Sequence, residues 1–508
     1  MKKRTFLKNA VILTVTALIL RGAGMFLRIY TANIIGAEGM GLHALIFTVY
    51  SFASALSTAG ISLAVTRLIS EDFPIGGKAS VVAVLRKSLL LSVLLGTVTA
   101  VILYSFSDFL SIHWLCDNRA APALRILALG LPFMSGSACF KGYFMARRNA
   151  KTPSDSQLLE QIIRIASVLL LLKPLAKHGL QAACVAVVLG NAVSEVAACI
   201  YLACGYKKDT FALRFSATAN PHILPRFLAV FLPVAFTGHL NTALHTLENL
   251  LVPQALTRYT HDSVLGLSQF GMLKGMALPA LFFPASFLTS MSALLVPEMS
   301  EYGAKKQTKS IARTASFTLR ITLLSSILIA GMFLTYPTEI AQLLYKDSEV
   351  GFYIVFLAPI VPFMYLESIA TGLLHGLNQQ LSTLKYNMAN SILRTSAVLF
   401  LVPHTGIHGF LWIMIFSNIY TSVSCLHRLC RTANIHTQWR RWIVGPFVCS
   451  LLAFLVCNAY NHIGSGMLHL FGGLALFLLV FLLAAYISGI ITKTDFQSLF
   501  SLTKQKKQ

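Results

Sequence analysis

Residues 131–179 read LPFMSGSACFKGYFMARRNAKTPSDSQLLEQIIRIASVLLLLKPLAKHG, and residues 361–409 read VPFMYLESIATGLLHGLNQQLSTLKYNMANSILRTSAVLFLVPHTGIHG. Laid against each other without a gap, at an offset of 230 residues, they share 11 identities in 49 positions. In sequence this apolar, about four or five would arise by chance, because few residue types dominate. The identities include Pro132/Pro362, Phe133/Phe363, Met134/Met364, Gly142/Gly372, Arg164/Arg394, His178/His408 and Gly179/Gly409, which hydrophobic bias alone would not match. At the same offset Ser62, Ser70 and Glu71 meet Ser292, Ser300 and Glu301. The chain is an internal duplication.

Working outward, the 508 residues are 56% hydrophobic and only 12% charged, with mean hydropathy +0.70. An ordinary soluble enzyme carries roughly 25% charge, so that class is excluded. A bilayer core about 30 Å thick needs roughly 20 mostly apolar residues per helix. Fourteen such windows are predicted: 9–34, 40–69, 80–104, 121–146, 155–173, 179–205, 222–252, 264–296, 311–335, 350–376, 382–402, 406–430, 442–460 and 466–491. The first begins like a secretory leader, with Lys2, Lys3, Arg4 and Lys8, but its apolar run leads into Arg21 and resumes at Ala23, so an uncleaved span is expected. The offset maps window 2 on 8, 4 on 10, 5 on 11 and 6 on 12. The predicted fold is therefore an all-α polytopic membrane protein with two six-helix lobes in parallel repeat, residues 1–215 and 216–435, then two further spans and a tail in 436–508. Parallel repeats of this kind enclose a central cavity with alternating access, which already indicates a transporter.

The formal charge of +23 comes from 41 Lys and Arg against 18 acids. With a cytoplasmic N-terminus, 30 of the 41 fall in loops of that face and six in loops of the other. The positive-inside rule is thus satisfied with both termini cytoplasmic, and the excess is a topology signal in the plasma membrane rather than a nucleic-acid footprint. Eight of nine cysteines lie in or beside apolar windows, with no CxxC pair, which argues against a disulfide framework or a zinc site.

Nine ionisable residues remain inside the windows: Arg21, Arg28, Glu160, Arg164, Glu195, Glu248, Lys274, Glu367 and Arg394. At about 2.5–3.5 kcal/mol each, exposing all of them to lipid would cost on the order of 20–30 kcal/mol, more than a domain's net stability. Most must face a cavity or a partner. Arg21 and Arg28 are two helical turns apart and share a face, beside Gly22 and Gly24; such a basic stripe suits a pyrophosphate, whose oxygens match the guanidinium fork. Glu160 and Arg164 are four residues apart and are expected to form a structural pair. Arg394, the repeat mate of Arg164, has Asn390 where that acid would be, so it joins Arg21, Arg28 and Lys274 as a candidate substrate-binding cation. Lys274 lies among Gly271, Gly275 and Pro279, which leave room for a cavity. Glu248, Glu367 and Glu195 are candidate cavity acids, either neutralising these cations or coupling an ion. No metal cluster, cofactor motif or catalytic triad is predicted, and no covalent chemistry is needed.

The run Arg21-Gly-Ala-Gly24 through Arg28, then Ile35-Gly-Ala-Glu-Gly-Met-Gly-Leu42, resembles the stage V sporulation protein B and polysaccharide biosynthesis exporter family. Ser70-Glu71, Glu248 with Val252-Pro253, and Leu294 to Glu301 (LLVPEMSE) carry the likeness along the chain. The superfamily also holds the lipid II flippases and the multidrug-and-toxin extruders. The resemblance implies a flippase exporting an undecaprenyl-linked oligosaccharide or peptidoglycan precursor, with first-span arginines on the pyrophosphate and Lys274 near the place of a span-8 arginine. It further implies a lipid-tail groove at the last two helices. The expected partners are a polyprenyl-pyrophosphate-linked glycan and membrane lipid, with a coupling cation or the membrane potential as the energy source. A cation-coupled drug exporter is the alternative within transport. A membrane glycosyltransferase or O-antigen ligase is disfavoured by short external loops.

Overall fold

The computed structural model describes residues 2–75, 77–211, 223–435, 440–462, 464 and 466–490. The expected lobe boundary at 215/216 and the tail beyond residue 490 lie outside these. All regular structure among the described residues is helical, and eleven helical runs are long and apolar enough to cross a membrane.

Apolar side chains fill the cores between the helices and also cover their exposed faces, unlike those of a water-soluble bundle. On Gly77–Ser105, the exposed stripe is Leu90, Leu94, Val98 and Val101, while Ser88, Ser92 and Thr99 are buried. Aliphatic side chains outward and hydroxyls inward is the pattern a hydrocarbon solvent selects, since small polar residues let helices approach and bond to one another.

Two runs are too long for one crossing. Helix Lys2–Thr58 has 57 residues and would extend about 85 Å if straight. It is interrupted at Gly36, whose φ of 69° lies in the left-handed region that glycine enters without a Cβ penalty. Gln380–Ala433 is interrupted in the same way at Gly406, where φ is 61° and a Cβ would lie 2.5 Å from the Tyr259 ring.

By contact density the chain divides into two units. The first comprises Met1–Met276 with Ser391–Phe410. Its helices include Ile61–Ile75, Ala121–Ala146, Lys151–Ala176, Leu180–Phe211, Ile223–Thr260 and Ser263–Phe270. One core joins Val65, Leu68, Val84, Phe140, Tyr143 and Leu202, and a smaller one joins Leu27, Val168, Leu172 and Val187. Gly142 seats Ala121–Ala146 against Ile61–Ile75: a Cβ there would lie 2.6 Å from the Ser62 carbonyl oxygen, and Thr66 Oγ1 donates to the Gly142 carbonyl at 3.0 Å.

The second unit, Ala277–Asn390 with Leu411–Gln508, repeats this contact one turn along. There Gly376 seats Val361–Gly376 against Ala285–Ala304, with Ser300 Oγ donating to the Gly376 carbonyl at 2.8 Å. Its core packs Ile327, Tyr336, Cys449, Cys457, Phe477 and Phe481, joining Thr308–Thr335 to the last two helices, Gly445–Asn461 and Met467–Ile487.

The expected single span 264–296 needs correction. The chain there forms Ser263–Phe270, a wide π turn over Gly271–Ala277, a short Leu278–Phe282 and then Ala285–Ala304. Pro279 and Pro284 remove amide donors and unsettle the ladder, and a π turn relieves such mismatches by accommodating an extra residue. In the first unit, Gly271 and Gly41 let this segment cross the second half of Lys2–Thr58 backbone to backbone. A Cβ on Gly271 would lie 1.9 Å from the Ala37 carbonyl oxygen, and one on Gly41 would lie 2.2 Å from that of Leu267. The Gly39-Met40-Gly41 motif thus has a packing reason, and the crossing places Lys274.

Candidate functional site

Within the first unit the helices enclose a cavity of about 400 Å³. The first half of Lys2–Thr58 contributes Arg28 and Thr31 to its wall, and the half after Gly36 contributes His43, Phe47, Thr48 and Ser51. Lys151–Ala176 supplies Gln161 and Arg164, and Leu180–Phe211 supplies Asn191. Asn249 comes from Ile223–Thr260 and Lys274 from the π turn. Among the described residues that line it there are three cations, Arg28, Arg164 and Lys274, and no carboxylate. The rest of the wall mixes amide, hydroxyl and aromatic groups with apolar residues such as Leu27, Met40 and Val187, and the His43 ring lies tilted against Phe47 at 4.4 Å between centroids.

Behind that wall stand the acids. Glu160 accepts from Arg164 Nη2 one turn along the same helix, at 2.5 Å. Arg164 therefore keeps its expected partner and also faces the cavity, a placement that its pairing alone did not reveal. Its Nε and the neighbouring Gln161 Nε2 have no hydrogen-bond partner. Arg394 lacks a local acid, as its sequence indicates, but finds a distant one: its Nη2 donates to Glu248 Oε1, from a residue 146 positions earlier. The same oxygen lies 3.9 Å from Lys274 Nζ. The Glu248 side chain is 3% exposed and that of Arg394 14%, and neither lines the cavity.

Glu195 is buried and makes no ion pair within 4 Å among the described residues. Its Oε1 accepts from Tyr50 Oη at 2.6 Å and from Asn191 Nδ2 at 2.8 Å, whereas Oε2 has no partner and abuts Gly130. Asn191 thus links a buried carboxyl to the cavity wall. Arg21 is exposed, two turns from Arg28 on the same helix, and is not among the lining residues. Glu367 lies half-buried on Val361–Gly376 in the second unit. The structure therefore brings together Arg28, Arg164 and Lys274, with Glu160, Glu248, Arg394 and Glu195 immediately behind, and leaves Arg21 and Glu367 apart. Among the described residues no group of three His, Cys, Asp or Glu side chains is placed to hold a metal ion.

The arrangement can bind and hold, and its polar groups have the chemistry for an anion and its hydroxyl-bearing neighbours: guanidinium and ammonium donors beside amides.

Comparison with known proteins gives a family and a fold. The chain is 25% identical over 416 residues to stage V sporulation protein B of Bacillus subtilis, covering 80% of each. The lipid II flippase MurJ in an inward closed conformation superposes with a TM-score of 0.71 at 13% identity, covering 94% of this chain and 98% of that one. An inward-facing multidrug resistance MATE transporter superposes with a TM-score of 0.67 at 13% identity, covering 84% and 100%. At such identities these structures establish the fold alone, an all-helical multi-span membrane fold shared with both. The sequence model of the polysaccharide biosynthesis proteins matches residues 6–302. That is more than half of the chain, and the protein belongs to the polysaccharide biosynthesis protein family.

Proposed function

We propose that this protein is a flippase that exports an undecaprenyl-linked oligosaccharide or peptidoglycan precursor by alternating access. The observation that carries this reading is the cavity wall, with Arg28, Arg164 and Lys274 and no carboxylate among its described lining residues. A pyrophosphate presents several anionic oxygens in a row, which the Arg28 guanidinium, the Arg164 donors left beyond Glu160 and the Lys274 ammonium suit. Asn191, Asn249, Gln161 and Ser51 suit the hydroxyls of the attached sugar. A volume of about 400 Å³ accommodates a charged headgroup with part of a glycan. Arg21 extends the same helical stripe and is assigned to the headgroup's path toward Arg28. An organic-cation exporter would want acids on that wall.

The remaining assignments follow from the same reading. Counting the runs broken at Gly36 and Gly406 as two spans each, and adding the more polar Lys151–Ala176, brings eleven spans to fourteen. These form two six-helix repeats, 1–215 and 216–435, followed by two helices, with both termini cytoplasmic in the plasma membrane. Glu195 is assigned to coupling: a buried carboxyl with no cation within 4 Å among the described residues, one amide away from the cavity, can exchange a proton or a cation as the cavity fills.

The test is reconstitution. Proteoliposomes carrying a fluorescent undecaprenyl-pyrophosphate disaccharide should move it between leaflets faster than empty vesicles; equal rates in both would reject the reading. The orientation is tested in cells with a cysteine-free background. Lys177→Cys should react with an impermeant thiol reagent from outside, and Asn149→Cys should not.

A further inference from the structure

The cluster behind the cavity holds one carboxylate between two cations. Glu248 is almost fully buried, and its Oε1 takes the hydrogen bond from Arg394 while Lys274 Nζ stands off at 3.9 Å. A separation above 3.5 Å is an electrostatic contact and not a hydrogen bond, so the ammonium keeps its three donors uncommitted on this side. Of the three residues only Lys274 reaches the cavity wall. Suppose the carboxylate had Lys274 alone. In a low-dielectric surround the two would close to a hydrogen-bonded, neutral pair, and the cavity would lose one of its three cations. With Arg394 present, the carboxylate is already satisfied by a guanidinium, the more weakly hydrated and geometrically better matched partner, and the cluster retains a net positive charge that only Lys274 presents to the cavity.

Resting on the flippase reading above, we propose that Arg394 is a positioning residue which occupies Glu248, so that Lys274 remains available to the phosphate oxygens of the substrate. Arg394 thereby sets the preference of the cavity for a phosphorylated headgroup without touching it. The proposal separates two arginines that the sequence repeat makes equivalent: Arg164 lines the cavity, and Arg394 acts through Lys274.

The full chain in lipid nanodiscs is titrated with undecaprenyl pyrophosphate and, separately, with uncharged undecaprenol. Wild type should prefer the pyrophosphate, and Lys274→Gln should reduce that preference about tenfold, the loss of one charge-assisted bond. Arg394→Gln should reduce it to a similar degree, because Glu248 now draws Lys274 away, while undecaprenol binding stays unchanged. Adding Glu248→Gln to Arg394→Gln should restore the preference to within about threefold of wild type, as should Arg394→Lys alone. A double variant that stays about tenfold down shows that Arg394 contacts the headgroup or holds the wall by itself, and overturns the proposal. So does an Arg394→Gln variant that binds as wild type. If Arg394→Gln alone does not yield monodisperse protein, the double variant decides by the same criterion. Wild type with no preference for the pyrophosphate rejects the flippase reading itself, whereas a Lys274 effect without rescue rejects only the role of Arg394.

Discussion

Arg164 and Arg394 align when the chain is laid against itself, yet they find their acids in opposite ways. Arg164 bonds to Glu160, four residues back on its own helix. Arg394 has Asn390 at that place and bonds instead to Glu248 on another helix. The side chain of Glu160 is 21% exposed and that of Glu248 only 3%. The first pair forms as soon as its helix forms and stands at a wet wall, so its arginine can serve a ligand. The second needs tertiary packing to exist, is buried, and shares its acid with Lys274. The sequence aligns the two arginines, and the placement of the acid sets their surroundings apart.

The largest effect is expected at the shared acid. Glu248→Ala leaves Arg394 and Lys274 without a carboxylate in the protein interior, which costs about 3–5 kcal/mol. The expected outcome is a collapse of monodisperse yield and of the thermal midpoint in detergent. Retention of the wild-type midpoint would show that the pair is not a packing element.

The next largest effect acts through the backbone that carries Lys274 to that acid. Gly271→Ala forces a Cβ into the Ala37 carbonyl, 1.9 Å away, so the π turn must shift. An overpacking cost of about 1–3 kcal/mol is expected, with weakened headgroup binding. By contrast, Gly24→Ala meets open space, although Gly24 lines the same cavity, and should lower stability little.

The smallest effect on stability is expected at the local pair. Glu160→Ala leaves Arg164 at the cavity wall, where water can reach it, and should cost about 1 kcal/mol. The double variant Glu160→Gln with Arg164→Gln should recover the wild-type thermal midpoint and still translocate poorly, because a lining cation is gone. Normal translocation by the double variant would return Arg164 to a purely structural role.

These differences mark what was legible in the sequence. The Glu160–Arg164 pair could be read because a spacing of four is a contact on any helix. Gly36 fell between two apolar windows, and the helix Lys151–Ala176 was expected although its polar residues keep it below the hydropathy of the other spans. The bond from Arg394 to Glu248 could not be read, since nothing local encodes a separation of 146 residues. The π turn was hidden for a related reason: Gly271, Gly275 and Pro279 signalled disruption, but whether the helix kinks, unwinds or widens depends on the neighbour that Gly271 admits. Arg21 shows the limit of the helical-face argument. It shares a stripe with Arg28, but the cavity wall takes in only Arg28. Gln161, Asn191 and Asn249 carry no charge in the membrane-cost argument and passed unnoticed, though they lie beside Arg164, Glu195 and Glu248, which did not.

A cavity built for an anionic lipid headgroup is what the proposed flippase requires. Its most direct measurement is translocation, in the same proteoliposomes, of a polyprenyl-pyrophosphate disaccharide and of a lipophilic organic cation, for wild type and for Arg28→Glu, an exposed wall residue whose reversal spares the buried pairs. Wild type is expected to move the anionic lipid and not the cation, and Arg28→Glu to lose at least about tenfold of that rate, the equivalent of one charge-assisted contact. Transport of the cation by wild type, with lipid movement unchanged in Arg28→Glu, would contradict the flippase reading.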